Sequence, residues 1–168
     1  MFFAWHTGRM WRKIEAMART KSKLQAAALG GTPDDIEAAF YEGLRSGDLE
    51  KVMACWADEE DIACIHPGGG RLLGVVSIRA AFEAMFANGG AIPVTPEQIR
   101  RVEALASAVH HVLERLDVST PEGMLKAYVP ATNVYHRTAQ GWRMVVHHAS
   151  PGTTDAGHDM NQTAKVLH

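Results

Sequence analysis

The segment GWRMVVHHASPG, residues 141–152, ends the strongly patterned part of the chain. Its run of apolar residues between a Gly-containing turn and a Ser-Pro-Gly sequence predicts a β-strand. Successive side chains of a strand point to opposite faces, so His147 and His148 cannot both coordinate one metal ion. The same reasoning applies to His110 and His111. We therefore predict that one histidine of each pair faces the protein interior.

The sequence before this strand has a composition typical of β-strands as well. Segments 92–103, 105–119, 124–137 and 142–149 are rich in Val, Tyr and Thr and are separated by turn signals such as STPEG and TAQG. They predict an antiparallel meander. Residues 97–106 also fit a helix locally, but we assign them to a strand because the meander requires one there.

Helices are predicted before the meander. Thr32 is a suitable N-cap and Pro33 suits the first helical position, after which Ile36, Phe40 and Leu44 fall on one face. A second helix follows Gly47, with Leu49, Val52, Met53 and Trp56 on one face, and a third spans about residues 76–86. Residues 62–65 form a short strand candidate. Helices followed by strands indicate an α+β fold with helices covering one face of a curved sheet.

The domain organisation follows from length and charge. The chain has 168 residues, enough for one compact domain, and a formal net charge of -2. Residues 1–23 hold six Lys or Arg against one Glu, so residues 1–31 are predicted to be a basic helical extension. It packs on the domain or a partner, or lies on a membrane surface. Residues 32–152 form the domain, and residues 153–168 are predicted to be a flexible tail.

Composition also narrows the function classes. No apolar run approaches the ~20 residues that span a bilayer, and no export signal is recognisable. We expect neither a nucleic-acid partner nor stable membrane association. The two cysteines, Cys55 and Cys64, are predicted to be free thiols of a cytoplasmic protein.

No motif in the sequence specifies a metal or cofactor site. The HPGGG turn, residues 66–70, lacks the Lys-Ser/Thr of a phosphate-binding loop. Neither cysteine has a ligand-spaced partner, and no G-x-S-x-G nucleophile motif occurs. We expect no metal ion and no cofactor.

Two long segments carry a family resemblance. TPDDIEAAFYEGLRSGDLEKVMACWADEEDIACIHPGGGRLLGVVSIRAAFEAMF, from residue 32, and ATNVYHRTAQGWRMVVHHASP, from residue 131, resemble the nuclear transport factor 2-like superfamily, and more narrowly its SnoaL-like domains. The resemblance implies a cone-shaped barrel in which a strongly curved antiparallel sheet encloses three helices. It also implies a homodimer and a pocket between helices and sheet. Relatives include ketosteroid isomerase, scytalone dehydratase and the kinase hub domain.

Strand parity within this implied fold selects candidate site residues. Glu114 would be a carboxylate among apolar neighbours, with a raised pKa suited to acid–base catalysis and with His147 or His66 as its partner. The remaining candidates are substrate-binding: Asn133, Tyr135, Trp56, His110 and Arg143. In hub-like relatives, anion-holding arginines tend to occupy the positions of Glu114, Asn133 and Ala149, so an anion pocket here would need Arg79 or Arg143 instead.

The resemblance and these residues leave two functions open. The first is an apolar pocket for a small apolar or weakly polar molecule, with cofactor-free isomerase, cyclase or dehydratase chemistry. The second is a non-catalytic dimeric association module. Each candidate also has a plain structural role: Glu114 can pair with Arg143 or Arg115, and His66 can simply end a strand. Proteins that share a fold need not share an activity, so the geometry of the site must distinguish between these two functions.

Overall fold

A computed structural model describes residues 31–154, which form three helices and six strands. The helices are α1 (Pro33–Ser46), α2 (Leu49–Ala54) and α3 (Gly74–Gly89). The strands are β1 (Ala63–Ile65), β2 (Arg71–Leu73), β3 (Val94–Glu103), β4 (Ser107–Thr120), β5 (Gly123–Thr138) and β6 (Gly141–Ala149). The predicted extension lies outside the described residues except for Gly31, as does the predicted tail beyond residue 154.

The first two helices begin as the sequence predicts. The Thr32 hydroxyl accepts a hydrogen bond from the backbone N–H of Asp35, with Pro33 in the first turn. Gly47 ends α1 in the left-handed conformation, at φ 65°, which a glycine adopts without steric cost. The Asp48 carboxylate then accepts from the Lys51 N–H and starts α2. Two residues therefore separate α1 from α2.

The six strands form one sheet in the order β2-β1-β6-β5-β4-β3. The long strands β3 to β6 pair antiparallel as a meander, which confirms the α+β prediction and the assignment of residues 97–103 to a strand. One pair, β1 with β6, is parallel. β1 thus joins the edge of the meander alongside its last strand, β6. β2, which the sequence reading did not predict, pairs antiparallel with β1 across the HPGGG turn.

A β-bulge in β6 changes which side chains face the helices. Val134 pairs with Val146, but Tyr135 pairs with Met144, so Val145 has no partner on β5. One extra residue in a strand shifts the alternation of faces beyond it. Strict parity predicts Arg143 on the same face as His147. Instead Arg143 pairs with His136 on the face opposite to Tyr135.

The core lies between the three helices and the concave face of the sheet. Phe40 is at its centre and makes edge-on contacts with the rings of Tyr41, Trp56 and Phe82 at centroid distances of 5.3, 6.4 and 6.1 Å. These aromatic pairs add to the burial of their apolar area. Phe40 therefore joins α1, α3 and the segment that follows α2 in one cluster.

Gly43 allows α1 and α2 to approach closely. A Cβ added to Gly43 would lie 2.8 Å from Val52 Cγ2 and 3.0 Å from the Val52 backbone nitrogen. We expect Gly43→Ala to lower the free energy of unfolding by about 1–3 kcal/mol because the backbone of α2 must move. Gly89→Ala is the matched control, since no atom lies within 4 Å of its added Cβ. Chemical denaturation of both variants tests this, and equal stabilities would contradict it.

Candidate functional site

Seven polar side chains meet where α1 lies against the sheet. Glu37 and Tyr41 stand one turn apart on α1, at the spacing that places two side chains on one helix face. The sheet supplies His110 and Glu114 from β4, Asn133 and Tyr135 from β5, and His147 from β6. All seven are buried. The structure therefore brings together five of the residues that the sequence selected.

The Glu37 carboxylate is the anchor of the cluster. Its Oε2 atom accepts hydrogen bonds from His110 Nδ1 at 2.9 Å, Tyr135 Oη at 3.2 Å and Asn133 Nδ2 at 3.3 Å. A buried carboxylate is costly unless donors compensate for its lost hydration. Three donors from two strands meet that requirement and tie α1 to the sheet.

Glu37 also fixes the orientation of the Asn133 amide. The amide nitrogen must face Glu37 because a carboxylate oxygen only accepts. The same nitrogen donates to Tyr41 Oη at 3.2 Å, and the amide oxygen accepts from His147 Nδ1 at 2.7 Å. His147 thus carries its proton on Nδ1, and its Nε2 atom is a free acceptor. Through Asn133, Glu37 therefore fixes the tautomer of the His147 imidazole.

Glu114 is the carboxyl group of the cluster with the fewest donors. Its Oε1 atom accepts a hydrogen bond of 2.8 Å from Tyr41 Oη. Burial raises the pKa of Glu114 to about 7, the Tyr41 hydrogen bond lowers it in part, and the charge of Glu37 raises it. A carboxyl group with this pKa exchanges protons readily near neutral pH, as acid–base catalysis requires.

His147 faces Glu114 as a neutral group. Its Nε2 atom lies 4.0 Å from Glu114 Oε1. Burial, with smaller contributions from His66 and His148, lowers the pKa of His147 to about 3. The contact is therefore not an ion pair at neutral pH. When Glu114 is ionised, two hydrogen-bond acceptors face each other across this gap.

His66 stands at the more open side of the cluster. It is half-buried, and its ring packs edge-on against Phe82 at 5.3 Å and lies 6.4 Å from the ring of His147. Its Nε2 atom is 3.7 Å from Cys64 Sγ. Burial lowers the pKa of His66, which keeps the imidazole neutral near pH 7. His66 thus lies on the His147 side of the cluster, against Phe82.

Two of the predicted substrate-binding residues lie away from the cluster. Trp56 is buried behind Phe40, and its backbone forms an isolated parallel β-bridge with that of Met144. Arg143 lies on the other face of β6 because of the bulge, and its Nη1 atom donates to the Trp142 carbonyl. The alternative cation, Arg79, forms a bidentate pair with Glu50 at 2.7 and 3.0 Å. Neither of these two predicted cations is directed at the cluster by its hydrogen bonds, since Arg143 bonds to Trp142 and Arg79 to Glu50.

The adjacent histidines divide between the two faces as strand geometry predicts. His147 and His110 are buried in the cluster, whereas His148 and His111 are exposed. His111 and His148 both pair with Thr132, one on each side, so these three residues share the outer face of the sheet. The two histidines of each pair therefore belong to different surfaces.

One group of side chains has the spacing of a metal site. Ligand atoms of Asp34, Glu37 and His110 lie within 4.8 Å of one another. However, Asp34 Oδ1 accepts from Arg101 Nε at 2.7 Å, and Glu37 Oε2 already has three donors. The protein's own donors hold these oxygens, so the hydrogen-bond network explains the group without a cation.

Glu37 and Tyr41 are the site residues that the sequence reading missed. The available signal was their position beside the apolar face of α1, since Glu37 and Tyr41 each follow an apolar residue of that face, Ile36 and Phe40. A Glu next to an apolar stripe usually points to solvent. Only the packing of α1 on the sheet shows that this one does not.

Comparisons with known proteins agree with this fold. A family model described as a SnoaL-like domain matches residues 34–154. No curated protein matches the chain. Within the described residues, no helix has the length and hydropathy needed to cross a bilayer.

Among solved structures, a proposed calcium/calmodulin-dependent protein kinase type II association domain from Thiobacillus denitrificans is 34% identical, covers 73% of this chain and 96% of its own, and superposes with a TM-score of 0.66. A proposed dehydratase of the NTF2-like family from Streptomyces avermitilis is 28% identical over 71% of this chain and 98% of its own, with a TM-score of 0.61. The CaMKII hub of S. rosetta shares the fold at 18% identity, with a TM-score of 0.59 and coverage of 73% and 98%.

The raised pKa of Glu114 predicts a pH-dependent stability. The folded-state pKa of about 7 exceeds the unfolded value of roughly 4.3, so the folded state binds the proton more tightly. This contribution is full below the unfolded pKa and is lost as pH rises through 7. We expect a rise in pH from about 5 to about 8 to lower the free energy of unfolding by about 2–3 kcal/mol through this one group. We expect Glu114→Gln to lack this loss.

Urea unfolding of wild type and Glu114→Gln at both pH values measures the difference. Glu122→Gln, at an exposed residue of the β4–β5 turn, is the control and should behave as wild type. Parallel losses of stability in wild type and Glu114→Gln would show that Glu114 does not titrate in this range.

Proposed function

The chain belongs to the SnoaL-like domain family, and from that membership we propose that it binds a small, mostly apolar molecule beside Glu114 and acts on it by acid–base chemistry. The observation that carries the proposal is the state of Glu114. It is a buried carboxyl group with one protein donor, Tyr41, and a pKa of about 7. A desolvated acid of this kind is uncommon outside functional sites.

The surrounding groups have separate roles in this proposal. Glu114 gives or takes the proton of the substrate. Tyr41 donates to the same carboxylate and favours its ionised form, which keeps both protonation states accessible. His147 offers Nε2 as an acceptor, and His66 lines the more open side. The polar atoms of Asn133 and Tyr135 hydrogen-bond to Glu37, Tyr41 and His147. In this proposal these two residues position the acid–base groups and do not hold the substrate directly.

The reaction class proposed is isomerisation, cyclisation or dehydration, using the protein's own side chains. Each of these reactions needs a proton removed at one atom and delivered at another, which a carboxyl group titrating near pH 7 can do. The 28% identity to a proposed dehydratase supports this class. The free thiols of Cys55 and Cys64 support a cytoplasmic location, where such thiols stay reduced.

A thermal-shift screen tests the proposal. Wild type, Glu114→Gln and the control Glu122→Gln are screened against a library of small apolar metabolites. A ligand that binds the folded state raises the melting temperature by mass action. We expect hits on wild type and the control that are lost or weakened in Glu114→Gln, followed by turnover of the hit. Equal responses in all three proteins would remove Glu114 from the binding site.

A second candidate is a dimeric association module. It is favoured by the 34% identity to a proposed kinase association domain. The outer face of the sheet offers a surface for it: Val109, Val134 and Val146 are in register on β4, β5 and β6 and are only partly buried. In this function the basic segment 1–31 would dock a partner.

Substitution at the centre of this face tests self-association. We expect wild type to sediment as a dimer and Val134→Arg as a monomer, because two arginines would meet across a two-fold interface. Leu105→Arg, at a residue 90% exposed in the β3–β4 turn, is the control and should remain dimeric. Wild type that sediments as a monomer at micromolar concentration would contradict the second candidate and leave the first intact.

A further inference from the structure

We propose that the ligand of this site carries a primary amine, which binds by two N–H groups between Glu114 and His147. The inference rests on the proposed small-molecule site and names the polar group of its ligand. It starts from the two acceptors, Glu114 Oε1 and His147 Nε2, that face each other at 4.0 Å.

The acceptor character of both atoms is set by their neighbours. Glu37 orients Asn133, whose amide oxygen holds the proton of His147 on Nδ1. The lone pair of Nε2 therefore points away from Asn133. Glu114 Oε1 already accepts from Tyr41. When Glu114 is ionised, as it mostly is at pH 8, the lone pairs of the two atoms face each other and repel, and a group that donates to both removes the repulsion.

The distance between the two acceptors suits one nitrogen atom. A nitrogen about 2.9 Å from both atoms lies beside the line that joins them, and the two acceptors subtend an angle of roughly 87° at it, so each N–H bond of a tetrahedral nitrogen bends only about 11° from a straight hydrogen bond. An alcohol has a single O–H donor and satisfies one acceptor only. A carboxylate has no donor and would meet Glu114 and Glu37, while the predicted cations Arg79 and Arg143 hydrogen-bond elsewhere, to Glu50 and Trp142.

The apolar surroundings fit a small hydrocarbon body attached to that amine. The rings of Phe40 and His147 lie 5.3 Å apart, and those of His66 and Phe82 also lie 5.3 Å apart. Phe86 extends this wall at 6.3 Å from Phe82. Aromatic faces attract a cationic nitrogen and pack against an aromatic or aliphatic ring.

Three probes of nearly equal size separate the ligand classes: benzylamine, benzyl alcohol and benzoate. Each is titrated at about pH 8 into the full-length protein by calorimetry. In parallel, the imidazole ¹⁵N signals of His147 are recorded, which report directly whether Nε2 is unprotonated and whether it accepts a hydrogen bond. We expect benzylamine to bind at least about tenfold more tightly than benzyl alcohol, a difference of roughly 1.4 kcal/mol. Benzoate should not bind.

Variants assign the preference to the proposed atoms. Glu114→Gln should reduce benzylamine affinity to that of benzyl alcohol, whereas Glu122→Gln should leave it unchanged. Asn133→Leu removes the oxygen that accepts from His147 Nδ1, so it should allow His147 Nε2 to become protonated in the free protein, with a matching loss of benzylamine affinity. The ¹⁵N spectrum shows the tautomer without any ligand, so a general loss of stability cannot imitate this result.

Two outcomes would overturn the inference in different ways. Benzyl alcohol or benzoate binding as tightly as benzylamine would show that the site takes small molecules but not by an amine, and the proposed function would stand. No binding of any probe, with no change in the His147 signals, would overturn the inference, and the library screen would then decide the proposed function separately.

Discussion

The hydrogen bonds to one oxygen of Glu37 constrain both the fold and the candidate site. They join α1 to β4 through His110 and to β5 through Asn133 and Tyr135. A carboxylate buried without these donors would cost several kcal/mol, so burial of Glu37 depends on the rotational setting of α1 that brings its carboxylate to them. That setting also directs Phe40 into the core and Tyr41 towards Glu114.

The same hydrogen bonds give the two buried carboxyl groups, Glu37 and Glu114, different properties. Glu114 and Glu37 are both buried carboxyl groups on or beside the same sheet face, but Glu37 has three donors and Glu114 has one. Burial is the main cause of the raised pKa of Glu114. Burial also keeps His147 neutral, and Asn133 holds its tautomer. The site is thus a set of groups in which each protonation state is decided by a neighbour.

Both functions open to this family are compatible with the geometry because they use opposite faces of one sheet. The concave face holds the cluster beneath α1, and the outer face holds the valine row with His111 and His148 beside it. A two-residue repeat along a strand lets one sequence encode two surfaces independently. Self-association through the outer face would leave the concave face free for a ligand.

The sequence by itself determined the helix starts, the meander and the division of each histidine pair between two faces. These features depend on local rules: the capping by Thr32 and Asp48, the turn residues, and the alternation along a strand. Alternation also placed Glu114, Asn133 and His147 on one face, because their strands pair in simple register there.

Only the tertiary structure decided the rest. The bulge at Val145 moved Arg143 to the other face, and no local signal marks an extra residue whose position depends on the neighbouring strand. The parallel pairing of β1 with β6 and the inward setting of Glu37 depend on contacts between residues 80 to 100 positions apart. The chemistry of the site arises from those contacts, since a pKa is set by burial and neighbours rather than by residue type.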